Sequence, residues 1–285
     1  MRIWLGLMLL VVTLLFTVSP SLLTSVTSMP SVSKSVQYES HTLPQSIVHT
    51  LLIPAQSHFF VTPVISAQVN TVEEFAAKEQ AVAVLNGGFF DPKNQKTTSY
   101  VVVKGKLAAD PRENERLMQN PQLTSYIDKI LNRTEFRRYQ CGQTIRYGIA
   151  LHQELPPTDC QLVDALGGGP RLLPRQTSKE EGFVDLTTGR DALGSDQPNA
   201  RTAIGITRDG SVIWVMAQQK PNNPHSGMSL PALADWMKNL GVEQAMNLDG
   251  GSSASLYYQG QTFNGKVDQA LNPVKRPVKS VLLVR

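Results

Sequence analysis

A chain of 285 residues that is 41% hydrophobic and 18% charged has an ordinary folded composition, with apolar content for a core of about 250 residues. Its formal charge of +4 is thinly spread, with no basic block beyond Lys275, Arg276 and Lys279. That excludes a nucleic-acid surface built on charge and leaves a small anionic substrate open.

Arg2 and the apolar run of residues 3–18, followed by Ser and Pro, form the charged and hydrophobic regions of a signal peptide or membrane anchor over residues 1–30. The protein is therefore expected outside the cytoplasm, periplasmic, secreted or anchored on the outer side. Membrane contact would come only through a leader left uncleaved. In such a compartment the two cysteines, Cys141 and Cys160, read as a disulfide. No second pair and no nearby histidine support a metal site there.

Residues 31–45, rich in Ser and Pro, read as a linker, and a single domain is expected over 46–285. Residues 47–53 and 59–64 read as strands of a first hairpin. Thr71 and Glu74 form a capping box that predicts a helix over 72–79. Residues 81–85 are apolar on both faces, as a central strand would be, and break at Asn86, Gly87, Gly88, Phe89, Phe90 and Asp91. Asn86 and Asp91 read as site residues, the two Phe as packing. Residues 100–104 and those after Gly105 predict another hairpin. From 110 to 161 the sequence turns charged and irregular, an excursion expected to be helical over 123–139 and stapled by the disulfide.

The sheet resumes at 162–166 and meets Gly167, Gly168, Gly169, Pro170 and Arg171. Here open backbone NH groups and a guanidinium fork suit an anion. A polar loop over 176–199 leads to Arg201, which opens a strand and a hairpin through Asp209 and Gly210. Ser229 caps a helix whose face is Leu230, Leu233, Met237 and Leu240, ended by Gly241. The next strand ends in Asn247, Leu248, Asp249, Gly250, Gly251, Ser252 and Ser253, which puts polar groups at a sheet rim where a ligand can approach the backbone. Residues 254–258 and 280–284 read as closing strands.

With NGGFFD at 86–91, ALGGGPRLL at 165–173, ARTAIGI at 200–206, SGMSLPALADWM at 226–237 and NLDGGSSASL at 247–256, the chain resembles the phosphodiester glycosidase family over roughly residues 81–285. The resemblance implies an α+β domain, a mixed β-sheet with flanking helices, and an exported hydrolase splitting a sugar-1-phosphodiester, often linked to exopolysaccharide in bacteria.

Breaking the anomeric C–O bond needs stabilisation of an oxocarbenium-like transition state and neutralisation of a departing phosphate. Asp249 and Asp91 are expected to activate water, attack, or position the sugar. Arg171, Arg201 and the amides of Gly167, Gly168 and Gly169 are expected to hold the phosphate. Asn86, Asn247, Gly250, Gly251, Ser252 and Ser253 are the expected sugar contacts. No cofactor is required, and a divalent ion between Asp91 and Asp249 has too few ligands to be assigned. A metal-dependent phosphodiesterase cutting P–O and a non-catalytic glycan-binding envelope protein stay open as alternatives.

Overall fold

The computed structural model describes residues 35–285, which form one compact unit; the expected leader lies outside them. The α+β expectation holds in a strand-rich form. In place of one mixed sheet there are three larger sheets and a two-stranded ribbon, and every strand pair among the described residues is antiparallel.

The first sheet runs, in spatial order, Gln37–Thr42, Ile47–Ile53, Val212–Gln218, Arg201–Thr207, Val242–Asn247, Arg171–Leu173. The second runs Gln261–Asn264, Ser255–Tyr258, Ala83–Asn86, Val278–Val284, Val61–Asn70. The third runs Lys106–Ala109, Val101–Val103, Cys160–Gly167, Thr134–Cys141, Thr144–Leu151. One core joins them: Leu51, Ile204 and Trp214 from the first, Leu85 and Leu282 from the second, Phe136 and Leu166 from the third are each at most 1% exposed.

Two helices cover outer faces. Leu230–Asn239, capped by the Ser229 hydroxyl, lays Leu230, Leu233 and Met237 on Ala203, Val215 and Ala217. These alternate with the inward Ile204 and Trp214, as the two-residue period of a strand requires. Val72–Glu79, with its Thr71–Glu74 capping box intact, packs Phe75 on Val84, Val281 and Leu283. Shortening a fully buried Leu233 to Ala there would cost about 2–5 kcal/mol.

Three sequence readings are corrected. Part of the expected linker, residues 37–42, is an edge strand pairing with Ile47–Ile53, so ordered structure starts before residue 46. The strands expected as a first hairpin part company, since Ile47–Ile53 joins Val212–Gln218 while Val61–Asn70 pairs with the last strand. The excursion is helical only as far as Leu131, where Tyr126 and Ile130 are buried. From Thr134 it supplies strands of the third sheet.

The disulfide Cys141–Cys160 joins directly opposed residues at the ends of neighbouring strands. Removing it by paired Cys→Ser substitution closes off the loop-entropy contribution of a 19-residue separation, about 3 kcal/mol. Urea unfolding with and without reductant checks this. Among the described residues no helix is long and apolar enough to cross a membrane.

Candidate active site

Three strands, one from each sheet, end at the same place. Ala83–Asn86 continues into Gly87 and Gly88, Cys160–Gly167 into Gly168 and Gly169, and Val242–Asn247 into Leu248 and Asp249. Backbone bonds stitch the ends together: Asp249 N donates to Gly87 O at 3.1 Å and Gly169 N to Asn247 O at 2.8 Å. A Cβ on Gly88 would lie 2.2 Å from Gly167 O, and one on Gly168 2.9 Å from Asn247 O, so the paired glycines are what permits the crossing.

Asn86 is fully buried and holds the crossing from inside. Its amide donates to Asp249 O at 2.6 Å, and its carbonyl oxygen accepts from Thr202 Oγ1 at 2.9 Å and Ser255 N at 3.1 Å. It positions the loop and does not face open space. Asn86→Ala strands these groups and is expected to lower stability by roughly 3–5 kcal/mol in urea unfolding. Asn247, also buried, donates to Gly169 O at 2.9 Å, while its Oδ1 has no protein partner.

Asp249 is only half-buried, yet its carboxyl is packed closely enough for desolvation to lift its pKa to about 6. The Ser253 hydroxyl, the Arg276 charge and the Gly250 amide partly oppose the lift. Arg276 donates to Ser252 Oγ at 2.6 Å and lies 5.2 Å from the Phe90 ring centroid. A carboxyl that titrates about a unit below neutral pH, a cation and a hydroxyl thus share one partly open rim, as a site for base or nucleophilic chemistry requires.

The other expected contributors have partners within the fold, although Arg171 keeps a buried Nε without one. Asp91 accepts from Lys93 N at 2.8 Å and pairs with Arg116 Nε at 2.6 Å. Desolvation pushes it up, but the Lys93 amide and Arg116 outweigh that and hold it below the usual range. Arg171 binds Ile149 O and Glu154 Oε1, at 3.3 and 3.2 Å. Arg201 is buried and gives its guanidinium to the carbonyls of Met228, Leu193, Gly194 and Gln197, clasping the loop that precedes it. Burial lowers its pKa to about 10.

The glycine amides are no open anion nest either. Gly167, Gly168 and Gly169 donate to Tyr100 O, Thr134 O and Asn247 O. The anion beside this turn is internal: the Glu181 carboxylate accepts from Thr134 N, Thr134 Oγ1, Thr177 Oγ1 and Arg171 N. Gly250 and Gly251 pack under Ala200 O, which accepts from Gly251 N. Of the expected phosphate and sugar contacts, Ser252 keeps an accessible side chain, while Ser253 is buried beneath Asp249. Arg276, the cation beside Asp249, stands out in the sequence only as part of a short basic block and not as a site residue, because it sits in a Pro-flanked, charge-rich segment with no break in pattern. Among the described residues no group of three or more His, Cys, Asp and Glu is placed to hold a metal ion.

Against known proteins, the model of the phosphodiester glycosidase family matches residues 79–285. The chain belongs to that family. It is accordingly a hydrolase, and the family implies a phosphorylated sugar or glycan as substrate. No curated protein matches its sequence. Among solved structures it is similar to the zebrafish N-acetylglucosamine-1-phosphodiester alpha-N-acetylglucosaminidase catalytic domain auto-inhibited by its pro-peptide. That likeness has 19% identity and TM-score 0.66, covering 91% of this chain and 85% of the other. A Burkholderia pseudomallei protein described as exported matches at 15% identity and TM-score 0.61, over 84% of this chain and 74% of that one. A Synechocystis protein matches at 17% identity and TM-score 0.58, over 87% of this chain; the chain spans 61% of that protein's length. At these identities the structural likenesses show the fold.

Proposed function

We propose that this phosphodiester glycosidase is an exported enzyme that cleaves a sugar-1-phosphodiester at the glycosidic C–O bond, acting on envelope or exopolysaccharide glycans. The observation that carries the proposal is the Asp249 carboxyl, pKa about 6, beside Arg276 and Ser252 at the convergence of three sheets. A phosphate monoester leaves readily without a strong acid, so the groups needed most are a carboxylate at the anomeric carbon and a cation at the leaving oxygen. Asp249 in its ionised form supplies the first, as nucleophile or as base toward water; Arg276 supplies the second, with Ser252 as a further hydrogen-bond donor. The apolar leader and the disulfide support export, since a single structural disulfide persists in an oxidising compartment.

A panel of sugar-1-phosphodiesters with varied sugars and acceptors, assayed with and without chelator, tests the reading. Turnover that releases free sugar and a phosphate monoester and survives chelation is expected. Release of a sugar phosphate instead, or the absence of turnover across the panel, would count against it.

A further inference from the structure

The fold leaves a second pair of arginines unspent. Arg133 and Arg190 are both half-buried, and each is held from behind by a successive carbonyl of one turn: Arg133 Nε donates to Glu181 O and Arg190 Nε to Gly182 O, each at 3.2 Å. Each guanidinium also lies near an aromatic ring, Arg133 3.7 Å from the Phe183 centroid and Arg190 4.8 Å from that of Tyr126. Such backing leaves the terminal nitrogens, which are the bidentate fork of arginine, pointing away from their supports. Among the described residues neither makes an ion pair or a hydrogen bond through those nitrogens, and neither has a buried nitrogen without a partner.

The nearby carboxylates are engaged elsewhere. Glu181 is bound to Thr134, Thr177 and the Arg171 amide, and Asp185 accepts from the Tyr126 hydroxyl. Burial lowers the Arg133 pKa to about 9; Glu181 opposes this, and the like charge of Arg190 adds to it. The like charges of Arg133 and Arg190 oppose each other, Glu181 offsets this only at Arg133, and an anion held by both would relieve it further.

Their position ties them to the candidate site. Phe183, beneath Arg133, contacts Phe89 with ring centroids 5.7 Å apart, and the adjacent Phe90 lies beneath Arg276. Thr134, next to Arg133, receives the Gly168 amide of the crossing. The rings of Phe90, Phe89 and Phe183 therefore lead from Arg276, beside Asp249, to Arg133, whose neighbour on the same turn is Arg190.

We infer that Arg133 and Arg190 form a phosphate-binding subsite distinct from the Arg276–Asp249 pair, which takes a second phosphate carried by the substrate. The assignment to substrate rests on the function proposed above; the binding of phosphate itself does not. A multiply phosphorylated glycan, and not a diester with a neutral acceptor, is then the substrate class that this flank selects.

Inorganic phosphate, titrated calorimetrically at low salt into the full-length Arg276→Gln protein, isolates the subsite from the other cation. Saturable binding is expected, weakened at least about ten-fold by adding Arg190→Gln or Arg133→Gln, since each removes a charged hydrogen-bonding partner. Arg190→Gln lies away from the Phe183 contact and carries the test if Arg133→Gln unfolds. No saturable binding, or binding unchanged by Arg190→Gln, overturns the subsite. In the Arg276-containing enzyme, KM for a sugar-1-phosphodiester with a phosphate-bearing acceptor should be lower than for one with a neutral acceptor, and Arg190→Gln should erase that preference. A preference absent from the start, alongside intact calorimetric binding, assigns the site to free phosphate and overturns the substrate half. If neither diester is hydrolysed, the proposed function falls while the calorimetry still decides the subsite.

Discussion

Asp249→Asn is expected to lower kcat/KM on a sugar-1-phosphodiester by at least about 10³-fold, the scale on which a positioned acid, base or nucleophile contributes. The same substitution should leave the fold at least as stable at pH 8. In the folded protein the carboxyl titrates near 6 instead of at its ordinary 3.8, because desolvation disfavours the charge. Between those pH values the folded state holds a proton that the unfolded chain has released, so the stabilisation is present at low pH and lost as pH rises through about 6. Above that, the ionised Asp249 is a cost that Asn does not carry. A thermal midpoint at pH 8 that is equal or higher than the parent's, together with lost turnover, separates a chemical role from a structural one. A midpoint that falls in step with activity would make Asp249 a packing residue.

Arg276→Ala is expected to lower kcat/KM by about 10²-fold, mostly in kcat, as removal of one charge-stabilising donor does when it acts on developing negative charge. It should also move the pH profile. If ionised Asp249 is the working form, activity falls as pH drops through about 6, and this acidic limb should vanish in Asp249→Asn. Arg276 pulls the Asp249 pKa down, so removing it should carry the limb to higher pH. A limb that stays put in Arg276→Ala would mean that the two groups do not share a site. The guanidinium also braces the Ser252 hydroxyl, and Arg276→Lys, which keeps the charge without the fork, should recover part of kcat and restore the limb.

What could be read from the sequence was what is local. The strand Ile47–Ile53, the Thr71 capping box and the Ser229 cap came out as read, because caps and alternation act within a few residues. Strand pairing did not. Phe59–Val64 follows Ile47–Ile53 closely, yet Val61–Asn70 waits for a partner more than two hundred positions away. In the excursion, Leu123, Ile127 and Ile130 do sit in helical turns, while the following TEFRRYQC has no period-two alternation to mark it as a strand, because both faces are covered and Arg137 and Glu135 are buried as an ion pair.

The site divides in the same way. Asn-Gly-Gly, Gly-Gly-Gly and Asp-Gly-Gly marked where backbones cross, and all three meet. Which polar groups are left over could not be read, because that depends on carbonyls brought from elsewhere. Arg201 is consumed by four of them and Arg171 by a strand carbonyl and Glu154. Arg276, Arg133 and Arg190 had no distinguishing local pattern, and only the assembled chain shows their placement.

Under the proposed function the bond broken is sugar carbon to oxygen, at Asp249. Hydrolysis of a sugar-1-phosphodiester in oxygen-18 water, with both products weighed by mass spectrometry, tests it most directly. Label is expected in the released sugar and none in the phosphate monoester. Label in the phosphate product would mean attack at phosphorus and would contradict it.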